Sequence, residues 1–290
     1  CSNGFLNNYN MKIELKTDTS AKEYSVEKRI ELMDAQHEET QVVVYTEDLT
    51  VTVDNSQPQE IIAKLERSNV KKDGKAFPQN PIDHYFIKSG EALNKLDLQL
   101  SADGRIMKVV NRDEILKNWE YTKIYLDNYF VSDDGDVEST IKGWTKQIDS
   151  VIKDEVKYMH SVENDLLYNR FFSGYWLDYG EDNQLVRNQI FPAIFGNART
   201  VLTEVLTVSE TEGKRKIDIV GSLNREASDM TAIAESLGMD ETQTDGLTIN
   251  LKGVCQTDDS GLIEKIDLKA TAELADSDFK RIYCLIVNRK

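Results

Sequence analysis

A chain of 290 residues is long enough to bury a sizeable core, as one large domain or two modest ones, so its stability needs no disulfide framework. Its 51 acidic against 35 basic residues give a net charge of −16 spread along the whole length, which argues against a nucleic acid as partner. No apolar run approaches the roughly 20 residues that a membrane-crossing helix requires.

The first residues are Cys1, Ser2, Asn3 and Gly4, followed by a polar stretch to Tyr9. Cysteine ahead of small polar residues resembles the mature end of a bacterial lipoprotein, with Cys1 acylated and residues 1–10 serving as a tether. The alternative is that Cys1 marks only a boundary, with Met11 or an earlier residue as the start. On the lipoprotein reading, the lipid is the only membrane attachment, and it tethers the body without burying it.

Alternation with period two opens the folded part. Tyr24, Val26, Ile30 and Leu32 share one face against Ser25, Glu27, Arg29 and Glu31, the pattern of a half-buried antiparallel strand. It recurs at Val43, Tyr45, Leu49, Val51 and Val53, and again at Leu96, Leu98 and Leu100. A turn at Ala102-Asp103-Gly104 then leads to a returning strand from Ile106 to Val110. Between them, Pro58, Pro78 and Pro81 and the Lys71-Lys72-Asp73-Gly74 turn predict loop with short strands over 55–92.

The period changes at Asn111, which with Glu114 resembles a capping box and predicts a helix over 112–130 with Ile115, Trp119, Leu126 and Phe130 inward. A second, long helix carries Val137, Ile141, Trp144, Ile148, Val151, Ile152, Val156 and Met159. Dense aromatic sequence follows, and residues 112–196 together read as a mainly helical middle. Strands return at 201–208 and 216–221 around a Glu212-Gly213 turn, and a short helix over 225–237 ends at Gly238. Alternating strands follow from Leu247 to Cys255 and from Leu262 to Leu274. The last strand, Ile282 to Val287, is apolar on both faces and therefore central.

The predicted class is α+β: antiparallel sheets in two β-rich halves, 11–111 and 197–290, joined by the helical segment 112–196. Asp103-Gly104-Arg105-Ile106 and Ser260-Gly261-Leu262-Ile263 are similar turn-and-return segments, consistent either with a duplication or with ordinary hairpin chemistry. The Asp103-Gly104 hairpin, the helix start Asn111-Arg112-Asp113-Glu114-Ile115-Leu116-Lys117-Asn118-Trp119 and the C-terminal strand pair resemble uncharacterised lipoproteins of Bacteroidota. That resemblance runs through low-specificity motifs, transfers no catalytic residues, and implies an outer-membrane lipoprotein. The absence of an acidic stretch in Ser2 to Asn10 favours the periplasmic side over the cell surface.

No Gly-x-Ser-x-Gly, phosphate-binding glycine loop or His-Glu-x-x-His occurs, so the residues offer no footing for hydrolase, nucleotide or zinc-protease chemistry. His37, His84 and His160 are scattered, and Asp133, Asp134, Asp136 and Glu138 miss the register of a calcium loop. No cofactor or metal is expected. With Cys1 acylated, Cys255 and Cys284 remain as a pair, either bridged as an oxidising periplasm allows or buried as apolar thiols. The candidate contact residues are Trp144, Phe171, Phe172, Tyr175, Trp176, Phe191 and Phe195, more aromatic area than a polar loop should expose. They form the core between helices and sheet, an interface for a protein partner, or the lining of a cavity for a hydrophobic ligand. The first functional expectation is a non-enzymatic accessory or scaffold subunit of an outer-membrane assembly; the alternative is a carrier whose sheet and helices enclose a lipid.

Overall fold

The computed structural model describes residues 10–33, 40–57, 59–76, 80–130 and 135–290; Cys1 and its tether up to residue 9, His37, and the acidic pair Asp133 and Asp134 lie outside them. In chain order the elements are β1 (Lys22–Met33), β2 (Gln41–Gln57), β3 (Glu60–Lys72), α1 (Pro81–Gly90), β4 (Lys95–Leu100), β5 (Ile106–Val109), α2 (Arg112–Tyr129), α3 (Gly135–Lys153), α4 (Glu155–Glu163) and α5 (Leu166–Phe171). Then follow β6 (Gln184–Ile190), β7 (Val201–Thr211), β8 (Lys214–Leu223), α6 (Met230–Ser236), β9 (Leu247–Thr257), β10 (Ile263–Leu274) and β11 (Lys280–Arg289).

The expected division into two β-rich halves does not hold. One 11-stranded sheet runs β5-β4-β3-β2-β1-β11-β10-β9-β8-β7-β6, every pair antiparallel. The joint is β1 with β11, in register from Tyr24 opposite Arg289 to Met33 opposite Lys280. A last strand apolar on both faces needs neighbours on both sides, and the first strand of the chain supplies one. The sheet also curls: Arg105, just before β5, bridges Ser173, and Arg187 of β6 donates to the Ser173 carbonyl and hydroxyl. One serine thus links the two edge strands of an open barrel.

Inward positions follow the alternation. Leu49, Val51, Val53, Ala63, Leu65, Leu96, Leu98, Leu206, Ile219, Leu251, Ile266 and Leu268 are all buried, each contributing on the order of 1–3 kcal/mol by leaving water. The concavity is closed by α5 and the segment after it, and at one end by residues 11–16, whose backbone pairs with Leu177, Tyr179 and Ser260.

Five local expectations are corrected. Residues 60–72 form a full strand, paired with β2 on one side and β4 on the other, although the charged Arg67 interrupts at an inward position the apolar alternation of Ile61, Ala63 and Leu65. Pro81 starts a helix instead of breaking one: Asn80 caps α1, accepting from the Ile82 amide, and proline suits the first helical turn. The long second helix divides at Asp154, whose side chain accepts from the Lys157 amide and begins α4. The segment 112–196 also contains β6, so its end is not helical. Asn111 holds the N-cap position of α2 without a side-chain cap; its side chain accepts from the Asp97 amide and donates to the Lys95 carbonyl, tying the helix start to β4.

Candidate functional site

Charged residues occupy several inward positions of the sheet, among them Arg281 and Arg289 of β11, and at two places they form clusters around a buried glutamate. On β1, β2 and β3 they are Lys28, Glu47 and Arg67; on β6 and β7, Arg187 and Glu204. A charge facing a core persists only when paired and hydrogen-bonded, and both groups are.

In the first, Arg67 grips Glu47 with two nitrogens (Nε to Oε2 2.6 Å, Nη2 to Oε1 2.9 Å), and Lys28 Nζ lies 2.9 Å from the same Oε1. The third Arg67 nitrogen reaches Asp165, at 3.3 Å, and the Tyr168 hydroxyl. In the second, Arg170 Nη1 donates to Glu204 at 2.5 Å, both side chains being fully buried, and Arg187 donates to the other Glu204 oxygen. Gly221 faces Glu204 across the β7–β8 pair and leaves room for its side chain. Asp165 caps α5 and Arg170 lies within it, so this six-residue helix is stapled to β3 by one end and to β7 by the other.

The first network floors a cleft of ≈ 650 Å³ between the sheet and the helices. Its polar floor consists of Lys28, Tyr45, Glu47, Arg67 and Asn69. The walls come from β3 and from α1 and its neighbours: Val70, Phe86, Ile87, Leu93, His84 and Tyr125. The α1 wall is positioned by aromatic contacts. His84 stacks on Tyr129 at 4.7 Å, its Nε2 is 3.3 Å from the Tyr125 hydroxyl, and Phe86 stacks on Trp144 at 5.3 Å. The buried Tyr85 hydroxyl pairs with Thr145, fixing α1 on α3.

Of the expected contact residues, Trp144 is the one that borders this region, and it does so behind Phe86. Phe171, Phe172, Tyr175, Phe191 and Phe195 are buried in the sheet's concavity. Phe171 packs edge-on against Tyr24 at 5.2 Å, Phe191 lies under Arg170, and Phe195 stacks with Phe279. Trp176 is clamped between two turns, its ring against Gly104 and its Nε1 donating to the Gly261 carbonyl at 2.8 Å. The space remaining among Tyr24, Phe171, Phe172, Tyr175 and Trp176 is ≈ 20 Å³, about one water. These aromatics are core. Cys255 and Cys284 are both free thiols. Cys255 is buried on the inner face opposite Ile266, whereas Cys284 points outward between Arg29 and Lys269, and residues on opposite faces of a sheet cannot bridge. Cys1 and the expected tether up to residue 9 lie outside the described residues.

The residues that build the cleft were readable as violations of parity: Lys28, Glu47 and Arg67 each stand where the alternation calls for an apolar side chain. Cross-strand register, which makes the three diagonal neighbours on adjacent strands, is what one strand's pattern lacks. Among the described residues no group of three or more His, Cys, Asp or Glu side chains could hold a metal ion, and no helix is long and apolar enough to cross a membrane.

No family model matches the chain, and no curated protein matches it. Among solved structures, mutants of the Rhodopseudomonas blastica porin align over 93% of this chain and 99% of theirs, at 7% and 8% identity with TM-scores of 0.21 and 0.20. A likeness that low carries no argument.

Proposed function

We propose that the chain is a non-catalytic binding protein that holds a hydrophobic or amphiphilic small molecule in the cleft between β1–β3 and α1–α2. The observation that carries this reading is the cleft itself, whose ≈ 650 Å³ lies within the range of ligand pockets, mostly apolar walls over a few placed polar groups. The concavity of the sheet is filled with aromatic side chains, so the ligand site is at its flank and not at its centre.

A second reading, the scaffold subunit, is supported by apolar side chains left exposed on the helices: Phe86, Tyr121, Ile124 and Tyr129 are each more than half exposed. Such residues concentrate energy at protein interfaces. A lipid on Cys1 would set either activity beside a membrane, on the periplasmic side of an outer membrane.

Native mass spectrometry of the chain purified from its own source in mild detergent separates the readings. A lone chain carrying a non-covalent small molecule supports the carrier. Stoichiometric protein subunits on an otherwise empty chain favour the scaffold, and the mass of the N-terminus reads acylation of Cys1 directly.

A further inference from the structure

Resting on the cleft as a ligand site, we infer that its ligand is a single-chain amphiphile with an anionic headgroup, a carboxylate or phosphate, seated on Lys28.

In a chain of net charge −16, the cleft is lined by three basic residues, Lys28, Arg67 and Lys88, against two acidic ones, Glu47 and Glu91. Lys88 is neutralised at the rim by Glu91 and lies over the Tyr125 ring. On the floor, Lys28 and Arg67 both pair with the carboxylate of Glu47. Arg67 has a second acid, Asp165, behind it. Asp165 also attracts the Lys28 ammonium, without an ion pair among the described residues; of that ammonium's three donors, Glu47 takes one.

Lys28 is held in place as a binding group is. Its side chain is 16% exposed, between Val26 and Ile30 on the inner face of β1, and Tyr45 stands opposite it in register and lines the same floor. The opposite wall is apolar, through Phe86, Ile87 and Leu93. Polarity is thus graded across the cleft from a cationic donor to aliphatic and aromatic carbon. An alkyl chain with no headgroup would dry the ammonium without giving it an acceptor, a loss that charged hydrogen bonds make large. A cationic headgroup would bring the Lys28 ammonium no acceptor. An anionic oxygen supplies what the floor lacks.

The test is titration of the full chain by isothermal calorimetry with four twelve-carbon probes below their micellar concentrations: dodecanoate, dodecyl phosphate, dodecanol and dodecyltrimethylammonium. The two anions should bind about 10-fold or more tighter than the alcohol, and the cation weakest. Lys28→Gln should remove the advantage of the anions and leave alcohol binding unchanged, while Lys28→Arg should retain it; thermal melts of both variants establish that they fold. A preference for carboxylate over phosphate, or the reverse, distinguishes a fatty acid from a phosphorylated lipid as the source. Equal binding of anions and alcohol, or an anion preference surviving Lys28→Gln, overturns the headgroup assignment and leaves the cleft as a ligand site. Failure of every probe to bind, or alcohol binding untouched by Phe86→Asp, overturns the cleft reading itself.

Discussion

Glu47 and Glu204 are the residues on which the inside of this molecule turns. Burial alone would push each carboxyl up. The opposing charges are stronger, Arg67 and Lys28 at Glu47, Arg170 and Arg187 at Glu204, and they hold both below the ordinary glutamate value of 4.5. Both are therefore ionised in the folded chain at neutral pH. A carboxylate whose folded-state value is depressed stabilises the fold above its unfolded value, and that stability disappears as pH falls through the folded value. The urea midpoint should accordingly fall below about pH 4.5, and the fall should be shallower in Glu47→Gln, measured by tryptophan fluorescence. At neutral pH, Glu204→Gln leaves two buried guanidiniums with half their partner and should cost about 3–5 kcal/mol in denaturant unfolding; a cost under ~1 kcal/mol would mean that Arg170 and Arg187 find other acceptors. Replacing Trp176 by Glu should destabilise the whole fold and not a docking surface, since its ring is packed against Gly104 and its nitrogen is bonded to the Gly261 carbonyl.

At the scale of elements, α5 matters more than its length suggests. Six residues cannot be stable alone; the helix exists because Asp165 caps it and reaches Arg67, and because Arg170 reaches Glu204. Asp165→Ala removes the cap and one staple together and should cost about 1–3 kcal/mol. Hydrogen exchange should show the α5 amides losing protection before those of β1 and β11. Where apolar and polar side chains alternate along most of a strand, as on β1, β2, β7 and β10, the elements are legible, and so are the Glu212-Gly213 turn and the Gly238 helix end. What was not legible has a common cause. Arg67 spoils the pattern of β3, Pro81 reads as a breaker where it begins a helix, and Asp154 interrupts an amphipathic stripe whose spacing continues across it. The cleft is hidden in the sequence for the same reason: its floor consists of the residues that break the alternation, and the dense aromatic residues are packing. Gly253 is a third kind of hidden constraint. An added Cβ there would fall 2.6 Å from the Asp267 carbonyl, so Gly253→Ala should force the β9–β10 pair apart and lower stability by about 1–3 kcal/mol.

For the molecule as a whole, the consequence of pairing β1 with β11 is cooperativity. Two β-rich halves with separate sheets could unfold one after the other. One sheet whose first and last strands are neighbours at its centre, with α5 bridging β3 and β7, should unfold in a single transition, with fluorescence and far-ultraviolet circular dichroism coincident; two separated transitions would show that the β1–β11 joint is weak. The same architecture explains where a ligand can go. Closing the concavity with Phe171, Phe172, Tyr175 and Trp176 leaves the flank under α1, where the packing gives way to a lined cleft. The direct test is photo-crosslinking of the intact chain with a dodecyl probe bearing a diazirine near its tail end, followed by peptide mapping. The account predicts adducts on the α1 wall and its neighbours, at Phe86, Ile87, Leu93 and Tyr125, suppressed by unlabelled dodecanoate. Adducts confined to Tyr121 and Ile124 on the outer side of α2, or within the aromatic core, would contradict it.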